Sequence, residues 1–265
     1  MLELLEQLFR QVRGYMHSER FNRHQVFSHS DQHTTMQFDR EAEDLIIDGL
    51  TASGYGFEVV TEEQPVLSTT ERPVYRIVVD PVDGSTNVEH GIHAACVALA
   101  VLPIEAPVTP EFVQWALVGE LYSGTVYQAE RGRGAYCNGR GCTTSEVTRY
   151  QDCLLGLNLD QREPASLRKL LGDTTLPAAV RRSGTSALDV VYVATGAYDA
   201  YVDIGDIITG ESFLASAAIV LEAGGTVTDR HGQSLPPIAN LHQGFSLVAA
   251  ATPKLHAELL ARLSD

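Results

Sequence analysis

Arg76-Ile77-Val78-Val79-Asp80-Pro81-Val82-Asp83-Gly84-Ser85-Thr86-Asn87 is the stretch around which this chain is organised. It begins with a β-branched apolar run, which is typical of a buried strand. Asp80 and Asp83 then place two carboxylates three positions apart, and Pro81 restricts Asp80 to extended backbone at the end of the strand. Gly84 permits a positive φ and a close approach by a ligand. Three further residues offer hydroxyls, an amide and successive N–H groups: Ser85, Thr86 and Asn87. We therefore expect hard oxygen ligands for Mg²⁺ beside a cradle for a phosphate ester.

The run from Asp80 to Asn87 closely resembles the signature of the inositol monophosphatase family. These are Mg²⁺-dependent, often lithium-sensitive phosphatases, and they include fructose-1,6-bisphosphatases. The haloacid dehalogenase phosphatases also pair two aspartates near a strand end, but theirs are two positions apart and the first is a nucleophile. Asp80 and Asp83 are three apart with a proline between them, so that second family is a poor match.

The resemblance extends in order over most of the chain and implies a fold. We expect an α/β protein of the layered αβαβα sugar-phosphatase type. Residues 1–149 are expected to form helices packed on an antiparallel sheet that carries the metal site. Residues 150–265 are expected to form a second α/β half that closes the substrate cleft.

The resemblance also implies metal ligands. Phe57–Glu63 is predicted to be a short strand ending in two acids, and it is similar to a family strand closed by Gly-Glu-Glu. Glu62 then takes the place of a metal-binding glutamate, with Glu63 as its neighbour and Thr61 in place of the glycine. The full expected set of metal ligands is Glu62, Asp80, the Val82 carbonyl, Asp83 and Glu211.

Catalytic and substrate-binding roles follow from the same resemblance. Glu62, Asp83 and Ser85 are the expected catalytic residues, and Ser85 aligns with a threonine that helps to position the attacking water. A covalent serine intermediate is not expected, because no histidine base has a fixed place beside Ser85. The expected substrate-binding residues are Gly84, Ser85, Thr86, Gly184, Thr185, Ser186 and Asp203. Asp203 stands where much of the family has a glutamate that hydrogen-bonds the polyol.

The sequence departs from the family in two places. Family members usually carry an aspartate at the start of the helix that ends in Glu-Ala-Gly-Gly, and it binds the second metal. Counting back from Gly225 puts Glu211 and Ser212 there. Glu211 could reach in from one residue earlier, or Asp206 could do so if the loop bulges. The family's lysine loop is not clearly present either, and His33 or Asp31 occupies that region.

Composition narrows the classes of partner. A formal net charge of −15 argues against a nucleic-acid or anionic-membrane surface. No apolar run is long enough to span a bilayer, and the first ten residues lack the basic start of a signal peptide. The four cysteines show neither metal-type CxxC spacing nor a disulfide framework. We therefore expect reduced thiols and a cytoplasmic location.

Mg²⁺-dependent hydrolysis of a small polyol or sugar phosphate by metal-activated water is the favoured function. We expect two or three Mg²⁺ ions, with Mn²⁺ as a possible substitute. The partner is a small phosphorylated metabolite, with no nucleic acid and no membrane, and the resemblance implies a homodimer. Three alternatives stay open: a catalytically weak relative that binds a phosphorylated metabolite, a fructose-1,6-bisphosphatase, and a phosphonucleotide phosphatase.

Overall fold

The computed structural model describes residues 1–29, 34–62, 64–159, 168, 170–172 and 175–264, with the backbone alone at residues 29, 34 and 35. Its α-helices are α1 (Leu2–Met16), α2 (Gln37–Ala52), α3 (Ser85–His90), α4 (Ser186–Val191), α5 (Leu214–Glu222) and α6 (Pro253–Ser264). Its strands in the first half are β1 (Val26–His29), β2 (Thr34–Met36), β3 (Phe57–Thr61), β4 (Leu67–Ser68), β5 (Tyr75–Asp83), β6 (Cys96–Pro103), β7 (Trp115–Glu120), β8 (Val126–Glu130), β9 (Ala135–Cys137) and β10 (Arg140–Cys142). Those in the second half are β11 (Leu154–Leu157), β12 (Ala179–Arg181), β13 (Ala200–Ile208), β14 (Thr226–Thr228) and β15 (Phe245–Ala250).

The first large sheet contains eight strands in the order β10-β9-β8-β7-β6-β5-β3-β4. Its neighbours pair antiparallel, as predicted, with one exception: β3 and β5 run parallel, and Thr61 lies opposite Val79. The carboxyl ends of two parallel strands meet at the same edge of a sheet. Glu62, which follows β3, is therefore brought beside Asp80 in β5.

Successive residues of β5 face two separate cores, because side chains alternate across a strand. Ile77 and Val79 face α1 and α2 in one core. Val78 faces the opposite core, which is shared with α4, α5 and the second sheet. Helix α1 suits the first core because its buried residues, among them Leu5, Leu8 and Val12, recur at helical spacing.

The second sheet has five strands in the order β12-β11-β13-β15-β14. Strand β11 is parallel to β12 and β13, whereas β15 is antiparallel to β13 and β14. Between the two sheets lies α5, which is buried at every position from Leu214 to Val220, as a helix covered on all sides requires. Helix α6 packs its Leu255 and Leu259 on the outer face of the second sheet. The layers are therefore α, β, α, β and α, and the predicted fold class is confirmed.

A turn of the first sheet is tied to the far end of α5. The backbone N–H groups of Gly132 and Gly134 donate to the carboxylate of Glu222, at 3.0 Å in each case. This turn between β8 and β9 is thus held by a side chain from the middle helical layer.

Several predictions concern the boundary between the two halves and residues outside the described ranges. The division near residue 150 stays a prediction, and the core around α4 and α5 draws side chains from both sides of it. Asp31, His33 and Glu63 fall outside the described residues. Within the ranges described, none of the helices combines the length and apolarity that crossing a bilayer requires.

Candidate active site

The end of β5 is the foundation of the site. Asp80 is only 4% exposed, and β5 bulges between Asp80 and Asp83 where it pairs with β6. A bulge re-aims side chains, and Gly84 then turns the chain into α3 with a φ of +99°. The two aspartates consequently leave the sheet at the edge where Glu62 follows β3.

Several carboxylates act on one another here. Burial raises the pKa of Asp80 well above its usual range, and the charges of Asp83, Glu62 and Glu211 raise it further. Burial also raises the pKa of Asp83 to about 7, although the hydrogen bond that Asp83 accepts from the Ala187 N–H acts to lower this pKa. We call Glu62, Asp80, Asp83 and Glu211 the carboxylate cluster. Concentrated and partly desolvated negative charge of this kind favours a proton or a cation.

Glu211 completes the cluster from the second half. Its Oε1 accepts a hydrogen bond from the Thr209 hydroxyl. Its Oε2 is buried and has no hydrogen-bond partner among the described residues. Burial raises the pKa of Glu211 to about 7, and the charges of Glu62 and Asp83 add to the rise. A buried carboxylate oxygen without a partner is costly unless a ligand satisfies it.

The neighbours of Glu211 differ in where they point. The Ser212 hydroxyl lies 3.4 Å from Oδ2 of Asp80, so Ser212 also faces the cluster. Asp206 sits at a bulge of β13 with a φ of +53°. Its half-exposed carboxylate pairs instead with Arg230 at 3.0 Å. Of the three residues considered at this position from the sequence, the structure brings Glu211 and Ser212 to the cluster.

The donor set suits a hard divalent cation. Carboxylate and carbonyl oxygens are the ligands that Mg²⁺ takes, and the unpartnered Glu211 Oε2 is an available donor. In the described part of the chain, however, no three acidic, histidine or cysteine side chains already close around one ion. Glu62 lies at the exposed edge of the cluster.

Ser85 has a partner that the sequence analysis missed. The Ser85 hydroxyl lies 2.7 Å from Oδ1 of Asp39 and 2.9 Å from the Val82 carbonyl oxygen. Asp39 is 5% exposed in the first turn of α2, where its carboxylate also accepts the Met36 N–H at 3.3 Å. Asp39 and Ser85 are far apart in sequence, and only tertiary packing brings this carboxylate to Ser85.

The expected substrate loop packs directly on the signature turn. A Cβ on Gly84 would lie 2.6 Å from Cγ2 of Thr185, so only glycine allows this approach. The Asn87 amide donates to the Ser183 carbonyl at 2.9 Å, and the Ala187 N–H donates to Asp83 at 2.6 Å. The backbone of Gly84, Ser85 and Thr86 therefore lies beside Gly184, Thr185 and Ser186.

Asp203 is placed differently from these residues. It is fully buried in β13, and its oxygens accept the Asn158 amide at 2.8 Å and the Gly205 N–H at 3.1 Å. With these two hydrogen bonds, the Asp203 carboxylate stabilises the second sheet. It would reach a polyol only if these bonds were exchanged.

This chain is similar to known proteins over most of its length. A model of the inositol monophosphatase family matches residues 2–265. The chain is 30% identical over 240 residues to a fructose-1,6-bisphosphatase/inositol-1-monophosphatase of Methanothermobacter thermautotrophicus, covering 88% of this chain and 85% of the relative. It is 31% identical over 233 residues to a putative Nus factor SuhB of Neisseria meningitidis, covering 85% and 82%. The crystal structure of extragenic suppressor protein suhB from Bartonella henselae superposes with a TM-score of 0.83 at 26% identity, covering 100% of this chain and 98% of that one.

Proposed function

From the premise that this chain belongs to the inositol monophosphatase family, we propose that it hydrolyses a small polyol or sugar phosphate with Mg²⁺. The family is one of phosphatases, and its named members here include a fructose-1,6-bisphosphatase/inositol-1-monophosphatase. The observation that carries the proposal is the carboxylate cluster with its unpartnered Glu211 oxygen. Hydrolysis of a phosphate monoester needs positive charge at such a place.

Glu62, Asp80, Asp83 and Glu211, with the Val82 carbonyl, are the residues that would hold two or three Mg²⁺ ions. When bound, the ions would lower the pKa of a water and neutralise charge on the phosphate. Mn²⁺ has a similar preference for oxygen ligands and would substitute. The Val82 carbonyl oxygen lies 2.9 Å from the Ser85 hydroxyl oxygen, so the proposed metal site adjoins the proposed water site.

Ser85 and Asp39 would orient the attacking water. Asp39 accepts the hydroxyl hydrogen of Ser85, which leaves the lone pairs of Ser85 Oγ free to accept a hydrogen from water. The proton lost by that water then has a route through Ser85 to Asp39, a buried carboxylate. Asp39 acts through Ser85 and is therefore a positioning residue.

The phosphate would lie between the signature turn and the loop around Thr185. The N–H groups of Gly84, Ser85 and Thr86 are the proposed donors on one side. Gly184 and Ser186 flank the other side, and Gly184 takes a φ of +86° against the Asn87 amide. Asp203 would assist the polyol only after exchange of its present bonds.

A phosphate-release screen tests the proposal. Inositol phosphate, fructose 1,6-bisphosphate and 3′-phosphoadenosine 5′-phosphate are offered with Mg²⁺ and with EDTA. Asp83→Asn keeps the shape and removes a charge, so we expect release to fall at least ~1,000-fold, as for a transition-state charge contact. The matched control is Asp48→Asn, which changes an exposed aspartate of α2. Unchanged Mg²⁺-dependent release in Asp83→Asn contradicts the assignment.

A regulator without strong activity is the second candidate. Ser212 stands where the family carries an aspartate, and one relative is named a putative Nus factor SuhB. Tight binding of a phosphorylated metabolite without Mg²⁺-dependent release would favour this alternative. The predicted homodimer and cytoplasmic location also belong to this proposal, and light scattering at assay concentration checks the first of them.

A further inference from the structure

A cavity of about 400 Å³ lies beside the carboxylate cluster, between β3, β5 and residues 238–242. Two contacts join it to the cluster. Glu62 lines the cavity and is also a member of the cluster. Ile238, another lining residue, abuts Gly210 so closely that a Cβ there would lie 2.6 Å from its Cδ1. Gly210 immediately precedes Glu211. Residues of the cavity therefore include Glu62 of the cluster and also contact the segment that carries Glu211.

Apolar side chains stand on both sides of this cavity, and polar and charged residues line the rest of it. Val60 and Val78 come from neighbouring strands of the first sheet, and Val108 and Leu241 close the opposite side. The wall is held in place by a backbone bond from the Ile238 N–H to the Val108 carbonyl, at 2.9 Å. Its volume falls within the range of pockets that enclose small organic ligands, ~300–1,000 Å³.

The charges of the cavity do not favour a second phosphate. Arg76 is paired with Glu58 at 2.6 Å, so its charge is already compensated. Glu62 adds another carboxylate, while His242 lies exposed at the rim. Even with Glu62 neutralised by a bound ion, the cavity offers a second phosphate no uncompensated arginine, whereas an uncharged group needs none.

The hydroxyl of Thr61, which is unpartnered among the described residues, does not face the cavity. Side chains alternate across β3, and Thr61 lies on the same face as Phe57 and Val59, which belong to the core with α1 and α2. The cavity lies on the other face, with Val60. What the cavity offers beside the cluster is therefore its valine, isoleucine and leucine side chains.

We propose that this cavity receives the end of the substrate alcohol that lies farthest from the phosphate, and that this end carries an uncharged apolar or aromatic group. The inference rests on the proposed function, since it assigns the substrate class of the same site. It predicts a phosphate monoester that is more apolar than inositol phosphate, with its phosphate at the cluster and its apolar group among Val60, Val108 and Ile238. Bisphosphates would gain nothing from the cavity.

Matched esters test the proposal. Ethyl phosphate and 2-phenylethyl phosphate have similar primary alkyl leaving groups and differ in the phenyl ring. We expect kcat/KM with Mg²⁺ to favour 2-phenylethyl phosphate by about tenfold or more, because the ring leaves water. Ala239→Trp places a large side chain in the cavity from an exposed position, so this ratio should fall to near one. The control Ala257→Trp, on the exposed side of α6, should keep the ratio of the unaltered protein.

A binding measurement separates the two proposals. Binding of 2-phenylethanol is followed by NMR in the unaltered protein, Ala239→Trp and Ala257→Trp. If the esters are hydrolysed without preference, or Ala239→Trp keeps the preference, the cavity assignment is overturned and the proposed function stands. If no ester is hydrolysed but 2-phenylethanol binds and Ala239→Trp abolishes binding, the cavity stands and the proposed function fails. If neither hydrolysis nor binding is found, both are overturned.

Discussion

Helix α5 has a glutamate near each end, and the two are in opposite situations. Glu222, its last residue, accepts the N–H groups of Gly132 and Gly134 and so fastens a turn of the first sheet. Glu211, three residues before its start, is buried with one oxygen unpartnered among the described residues. Burial raises the pKa of Glu211 to about 7.

This contrast shows how a structural carboxylate differs from one that awaits a ligand. The bonds of Glu222 are made by the fold itself, so its charge is stabilised without any other molecule. The fold leaves Glu211 incomplete and surrounds it with other carboxylates. Changing either glutamate to glutamine should therefore affect different properties of the protein.

Among changes at and beside the two ends of α5, Glu211→Gln should have the largest effect. Removing this charge should lower Mg²⁺-dependent phosphate release by ~10–100-fold, as for loss of a group that supports a metal. The melting temperature without metal should not fall, because a buried charge with an unpartnered oxygen is gone. Initial rates over a Mg²⁺ titration and thermal melting measure both. An unchanged Mg²⁺ dependence would show that this end of α5 does not touch the metals.

Ser212→Asp should have a smaller effect of opposite sign. The Ser212 hydroxyl already lies 3.4 Å from Asp80, so a carboxylate there would add a metal ligand. We expect the Mg²⁺ concentration for half-maximal rate to fall by about three- to tenfold, or ~1 kcal/mol. The melting temperature without metal should drop because like charges are brought together. A higher Mg²⁺ requirement would contradict this placement.

The pH dependence of stability should reveal the cluster without any assay of activity. The pKa values of Asp83 and Glu211 are raised to about 7, so the native state binds protons that the unfolded chain releases. Their contribution is complete below about pH 4 and is lost as the pH rises through 7. The metal-free melting temperature should therefore fall between pH 5 and pH 8, on the order of 5 °C. Mg²⁺ should restore it at pH 8, and Glu211→Gln should flatten the slope.

Glu222→Gln should have the smallest effect, and on stability alone. Glutamine keeps one acceptor oxygen but loses the charge, so at least one N–H of the glycine turn is held more weakly. We expect a loss of ~1 kcal/mol, equivalent to a melting temperature lower by about 2–4 °C. Phosphate release and its Mg²⁺ dependence should not change. A large loss of phosphate release would show that Glu222 contributes to the active site, and it would contradict the distinction drawn between Glu222 and Glu211.

What the sequence could predict was mostly local. The strand before Asp80, the turn at Gly84 and the apolar helix before Gly224 follow from neighbouring residues, and the structure has them. The layered fold class, which came from the family resemblance, is also confirmed. These features depend on residue order within about ten positions, or on a motif long enough to identify a family.

The unpredicted features are long-range. Ser85 and Asp39 lie 46 positions apart, and nothing in the intervening chain encodes their hydrogen bond. The parallel pairing of β3 with β5 could not be predicted either. Which strands pair, and in which direction and register, depends on packing rather than on the local pattern. Counting residues also could not choose between Asp206 and Glu211. The pairing of Asp206 with Arg230 supplies the physical reason why it lies elsewhere.

The helical layer shared by both sheets has a consequence for synthesis of the chain on the ribosome. The first sheet is complete at Cys142, but α5, which covers its inner face, ends only at Glu222. At 5–20 residues per second, the intervening eighty residues take about 4–16 s to emerge. During that interval Val78, Ala98 and Ala100 lack α5, and until α4 has also emerged they present an apolar surface with neither helix upon it. The nascent first half therefore exposes apolar surface that favours aggregation until the later helices cover it.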